Sequence, residues 1–147
     1  GVYLLRNQRE NIFIKGQKMT IAGVGDLWSD EMKPAGVLRP LTGKESTTVR
    51  PPVILLSHNP DSKEELAPYD WDLMLCGHTH GGECILPLLG TPFAPVEDHR
   101  YVEGLHHWQD RLIHITRGVG NLHGLRFNCR PEVSFLEAGP APPPEED

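Results

Sequence analysis

Two short apolar runs organise the centre of the chain, Val53-Ile54-Leu55-Leu56 and Leu73-Met74-Leu75-Cys76. Each lacks the polar alternation of a half-exposed strand and reads as a strand buried on both faces. Between them, Pro60 opens a turn, and Asp61 and Glu64 have capping-box spacing, which predicts a short helix. Strand, short helix, strand implies a parallel pair whose C-terminal ends share one edge. Upstream, residues 2–5, 11–14 and 19–24 read as short strands of a β meander, separated by residues 6–10 and 15–18. Residues 30–52 carry six prolines and glycines and read as an exposed connection, with at most a turn or two of helix near 30–37. Downstream, residues 86–95 form a Pro- and Gly-rich loop, and residues 100–105 and 111–116 flank a polar turn like a hairpin. His106 and His107 fall in that turn and His114 on its second arm; all three read as solvated or structural. Residues 132–138 read as a final strand. The whole is an α/β pattern in one domain, residues 1–138.

Composition narrows the partners. The 147 residues suffice for one domain with a real core. The formal net charge is −6, so no basic surface follows a phosphate backbone and nucleic-acid binding is not expected. Three cysteines, Cys76, Cys84 and Cys129, give neither a CxxC nor an even disulfide framework, although a Cys76–Cys84 bridge across the intervening loop is conceivable. No apolar run reaches the roughly 18 residues of a membrane span, so a soluble chain is expected. Residues 139–147, rich in proline and acid, cannot bury enough apolar surface to order themselves and read as a disordered tail. The first residue is Gly1 rather than Met, the pattern of a processed, cloned or nicked product.

The second apolar run leads straight into Gly77-His78-Thr79-His80-Gly81-Gly82. If the backbone stays strand-like there, His78 and His80 point the same way, and the glycines let the chain bend and a ligand come close. His58 leaves the end of the neighbouring strand. Three imidazoles thus converge on the carboxyl edge of a sheet, where open α/β sheets place their ligands. Neutral imidazole binds zinc, iron, nickel and copper, and manganese when carboxylates complete the shell. A lone histidine at a strand end is more often a hydrogen-bonded structural residue, but three at this spacing favour a metal.

With those histidines in place, the chain resembles the calcineurin-like metallophosphoesterases, specifically the bacterial YaeI-type phosphodiesterase branch. The residues that carry the resemblance are GDLW at 25–28, SHNPDSK at 57–63, WDLMLCGHTHGG at 71–82, PFAPVED at 92–98 and TRGVG at 116–120. The likeness runs from near residue 1 to about residue 138. It implies the C-terminal half of a four-layer α/β/β/α sandwich with a dinuclear site between two sheets. It also implies that His58 and His78, the first His of the GHxH motif, bind one metal while His80 binds the other. Two divalent ions (Mn, Zn, Fe or Ni) are implied for the complete domain, and one for this chain. The family's remaining ligands come from upstream DxH, GDxxD and GNH motifs that do not occur here. Asp26 lies in a sequence with the wrong spacing to replace them and reads as a loop residue or a support behind the ligands.

The activity implied is hydrolysis of phosphodiester or pyrophosphate bonds by a hydroxide held on two metals, with nucleotide-linked lipids among the substrates. The missing motifs imply that this chain alone is inactive and needs its N-terminal half for hydrolysis, and the sheet face that half would cover implies a complementary chain or self-association without activity. Family analogy places such proteins in bacteria, exported or membrane-associated. Arg117, and less so Arg126, could grip a substrate phosphate through the guanidinium fork, while Asn59 could contact substrate or cap the helix at Pro60. The rival readings are a non-catalytic metal-binding or interaction module that reuses the half-fold, and a purely structural role for the histidines.

Overall fold

The computed structural model describes residues 1–41, 50–121 and 124–139. Its centre is one six-stranded mixed sheet in the order β1-β2-β3-β4-β6-β5. The strands are β1 Gln8–Ile14, β2 Gln17–Gly23, β3 Val53–Leu56, β4 Leu73–Cys76, β5 Gly104–Trp108 and β6 Arg111–Ile115. Strands β2, β3, β4 and β6 run parallel, and β1 and β5 flank them antiparallel. The predicted parallel pair is therefore the middle of the sheet. The α/β class holds; a second sheet is not found among the described residues.

The edges depart from the sequence reading. Strand β1 begins at Gln8 within the polar stretch expected to separate strands, and residues 2–5 form no strand. The hairpin turn is Lys15-Gly16, both at positive φ (50° and 79°), as a two-residue turn between twisted strands requires. His106 and His107 lie within β5 rather than in a turn. Residues 132–138 stay irregular, because no neighbouring strand offers them a ladder. Within residues 30–52, expected to be exposed, Val37 and Leu38 are buried against the core after a single 3-10 turn, Pro34–Gly36. Residues 42–49 of that connection, and 140–147 of the expected tail, lie outside the described residues.

Strand register fixes which side chains share a face. Ala22, Leu55, Met74 and Ile113 stand side by side across four strands, and each is fully buried. Val37, Leu66, Trp71 and Trp108 pack with this row in one core. The Trp71 and Trp108 rings stack 5.8 Å apart, and the Arg111 guanidinium lies 4.5 Å from the Trp71 ring centre while donating to the Leu66 and Ala67 carbonyls. The opposite face carries a second apolar row, Ile21, Ile54, Leu73 and Leu112, aligned by the same register but only half-buried. Strands read as buried on both faces are thus covered on one.

The link from β3 to β4 places the candidate site. It comprises a 3-10 turn, Pro60–Ser62, and a single turn of α-helix, α1 Lys63–Leu66. Asn59, not Asp61, is its cap: the Asn59 Oδ1 accepts from the Asp61 N–H at 2.9 Å. Asp61 instead accepts from the Glu97 N–H at 3.0 Å, which ties the 92–98 loop to the first turn.

Candidate metal centre

Two of the three histidines meet at the carboxyl ends of β3 and β4. His58 follows β3 by one residue beyond Ser57, and His78 follows β4 by one residue beyond Gly77. The Gly77 N–H donates to the His58 carbonyl at 3.1 Å, so backbone pairing continues past the strands and brings the two loops together. His58 Nε2 and His78 Nδ1 end 3.2 Å apart, with ring centres at 4.9 Å. The Trp28 ring meets His78 edge-on at 4.3 Å. Asp26 accepts from Trp28 N–H and Ser29 N–H and thereby shapes that loop.

The backbone beyond Cys76 is not strand-like. His78 and His80 both have positive φ (67° and 51°), with Thr79 between them in the right-handed helical region. The side-chain alternation of a strand therefore fails between His78 and His80. His80 lies instead against Gly120, and its Nδ1 is 3.6 Å from Glu83 Oε1. Among the described residues no group of three or more His, Cys, Asp or Glu is drawn together as a metal-binding cluster. The fold assembles a pair and sets His80 apart from it.

The pair fits a shared divalent ion. With metal–nitrogen bonds of about 2.0–2.1 Å, two nitrogens on one tetrahedral ion stand about 3.3 Å apart, close to the 3.2 Å found here. Burial, and then the neighbouring His58, hold the His78 imidazole's pKa below the ordinary histidine value, so the ring favours its neutral, ligating form. His78 Nε2 is buried without a hydrogen-bond partner among the described residues, and buried His80 Nδ1 has only the 3.6 Å approach to Glu83 Oε1. A bound ion or its supporting groups would satisfy such nitrogens.

The other candidates are committed elsewhere. Arg117 is paired with Glu132 Oε2 at 2.7 Å and with Glu103 Oε2 at 3.3 Å, so a substrate phosphate would have to compete with two carboxylates. Asn59 is fully buried and its carbonyl oxygen is occupied as a cap, which leaves its Nδ2 without a hydrogen-bond partner among the described residues. Arg126 contacts only carbonyls and the Cys129 sulfur among its described partners. Asp61 and Lys63 are both buried, with 4.0 Å between Lys63 Nζ and Asp61 Oδ1; the sequence reading took Asp61 only as a helix cap and did not single out Lys63, although their place in SHNPDSK beside His58 was the available signal.

All three cysteines are free, so the conceivable Cys76–Cys84 bridge is absent. Cys76 is buried at the end of β4, whereas Cys84 is half-buried and pairs through its backbone with Phe127 across the following loop. Burial pushes the Cys76 thiol's pKa up, which disfavours the reactive thiolate. Alkylation of the native chain with iodoacetamide at pH 8 should therefore label Cys84 first and leave Cys76 unmodified until unfolding, as peptide mass mapping would record. Early labelling of Cys76 would mean that the β4 end opens readily.

No protein-family model matches the chain, and no solved structure does. Curated relatives do. The chain is 49% identical over 137 residues to phosphodiesterase YaeI of Escherichia coli, covering 93% of this chain and 47% of that protein. It is 32% identical over 138 residues to the metallophosphoesterase YkuE of Bacillus subtilis, covering 92% and 46%. It is 29% identical over 143 residues to the UDP-2,3-diacylglucosamine pyrophosphatase LpxG of Chlamydia trachomatis, covering 90% and 40%. The chain thus spans about half the length of the curated relatives it matches. With that likeness extending over nine-tenths of its residues and the strand-end histidines in place, this chain belongs to the metallophosphoesterases, in the branch of phosphodiesterase YaeI.

Proposed function

We propose that this chain is the metal-binding, C-terminal part of a metal-dependent phosphodiesterase, and that hydrolysis requires the upstream half of the domain. The observation that carries this reading is the 3.2 Å approach of His58 Nε2 to His78 Nδ1 at adjacent parallel strand ends. His58 and His78 hold one divalent ion between them, and burial keeps His78 neutral and ready to ligate. His80, with its buried Nδ1, serves a second ion. When bound, such ions supply Lewis-acid polarisation of the phosphoryl oxygens and stabilise charge on them. The substrate class is a phosphodiester or a pyrophosphate-linked lipid nucleotide, the latter suggested by the chlamydial relative, a UDP-2,3-diacylglucosamine pyrophosphatase. A membrane-associated or exported location suits a lipid substrate; no helix among the described residues is long and apolar enough to cross a membrane itself.

The second reading, a non-catalytic metal-binding module, is favoured by the two-imidazole cluster, which is too small for a dinuclear site. Turnover of bis(p-nitrophenyl) phosphate with manganese separates the two. The 147-residue chain alone should give background rates, and addition of the upstream half of YaeI should restore hydrolysis that depends on His58 and His80. A metal-loaded complex of the two halves that stays inactive would favour the module.

A further inference from the structure

The Arg126 guanidinium reaches two separate loops at once. One terminal nitrogen donates to the His80 carbonyl at 3.1 Å, the other to the Arg117 carbonyl at 2.9 Å, and Nε to the Gly120 carbonyl at 3.1 Å. No carboxylate is among these partners. The fork is spent on backbone carbonyls, a use to which its fixed array of five donors is suited and a single ammonium is not.

What the fork holds is the backbone around His80. His80 sits at φ 51° and Gly81 at φ 64°, a left-handed pair that a β-carbon-bearing residue such as His80 adopts only when its surroundings impose it. The Cys129 thiol reinforces the hold, lying 3.3 Å from the His80 carbonyl and 3.4 Å from that of Gly81. Space is also fixed there: a Cβ on Gly81 would fall 2.5 Å from the Arg117 side chain and 2.7 Å from Cys129 Sγ. On the other side, a Cβ on Gly120 would come within 3.2 Å of the His80 ring. The His80 ring therefore rests on the same 117–120 backbone that Arg126 pulls toward the His80 carbonyl.

We propose that Arg126 is a positioning residue for His80, with Cys129 as its support, and not a contact for substrate phosphate. By joining the His80 carbonyl to the Arg117 and Gly120 carbonyls, it fixes the left-handed turn that aims the imidazole. The link to metal binding rests on the proposed role of His80 as a ligand; the link to ring orientation does not.

The test uses Arg126→Lys, which keeps charge and length, and Arg126→Ala, both in the 147-residue chain. The first readout is metal-free: the rate of His80 modification by diethyl pyrocarbonate, mapped by peptide mass spectrometry. Arg126→Lys should raise the His80 rate several-fold while leaving His106 and His107 unchanged, and Arg126→Ala should raise it further. An unchanged His80 rate in Arg126→Lys, whose fold the melting curve verifies, would overturn the proposal. If Arg126→Ala proves too unstable, Cys129→Ala, which removes the Sγ donor to the His80 and Gly81 carbonyls, should raise the His80 rate in the same direction, and no rise in either folded variant counts against it. The second readout is zinc affinity by competition with a chromophoric chelator. Loss of a supporting contact should weaken the His80-dependent site about tenfold or more and spare the site of His58 and His78. If His80→Ala leaves zinc binding unaltered, the ligand reading of His80 fails, while the modification rates still decide the role of Arg126.

Discussion

His58→Ala and His78→Asn should each abolish metal binding at the position the two residues share, while His106→Ala and His107→Ala leave it intact. Asparagine is the better replacement at residue 78, because it tolerates the positive φ found there better than alanine does. The site has two imidazoles facing each other at 3.2 Å and no third ligand gathered with them among the described residues. Removing one leaves a single donor, too few for a divalent ion to outcompete hydration. The loss should exceed about 100-fold in affinity, since changes even to groups behind a ligand cost about 10–100-fold. His106 and His107 are sequence neighbours in β5, which β6 separates from β4; the His106 ring is occupied by the Glu103 carbonyl at 2.6 Å. Metal content after dialysis against zinc or manganese, read by inductively coupled plasma mass spectrometry, checks the result. Equal loss from all four variants would refute the assignment of the pair.

The half-buried face of the sheet leads to the second result. Ile21, Ile54, Leu73 and Leu112 form one aligned apolar row on it, and Leu56 and Leu75 extend it by a second, with Leu56 37% exposed. Apolar side chains so placed on a contiguous surface favour association, because each 100 Å² of such surface removed from water contributes about 2.5 kcal/mol. The 147-residue chain should therefore sediment as a dimer or larger species at micromolar concentration, and the upstream half of YaeI should displace that association. Leu56→Glu should shift the population toward monomer without unfolding it, since the opposite, fully buried row of Ala22, Leu55, Met74 and Ile113 is untouched. Self-association alone would not supply the carboxylate ligands this chain lacks, so the associated species should remain inactive. A stable monomer with full manganese-dependent phosphodiesterase activity would contradict both the packing argument and the need for those ligands.

Much of this site was legible along the chain because its determinants are local. Val53–Leu56 and Leu73–Cys76 are apolar without interruption, and the short link between them leaves a parallel pair as the simple solution. Once those strands are parallel and adjacent in this register, His58 stands opposite Gly77, and the bond from Gly77 N–H to the His58 carbonyl brings the following His78 beside it. The composition of Gly77-His78-Thr79-His80-Gly81-Gly82 likewise announced a sharp bend next to potential ligands.

The remainder depended on partners distant in sequence. Residues 8–10 are polar yet form a strand, because β2 offers them a backbone ladder and an edge strand can leave its side chains in water. Residues 132–138 read as a strand and remain irregular: Glu132 N–H bonds to the Gly118 carbonyl, beyond the end of β6, and no ladder follows. His80 shows the same principle at the site. Its apparent alternation with His78 assumed an extended backbone, whereas the fold turns both residues left-handed and holds His80 there through Arg126 and Cys129, 46 and 49 residues further on. Side-chain pattern reports what a segment prefers to bury, and so it revealed the central strands and the histidine pair. Backbone hydrogen bonds and local φ are settled by which partner is within reach, and only the folded chain supplies that partner.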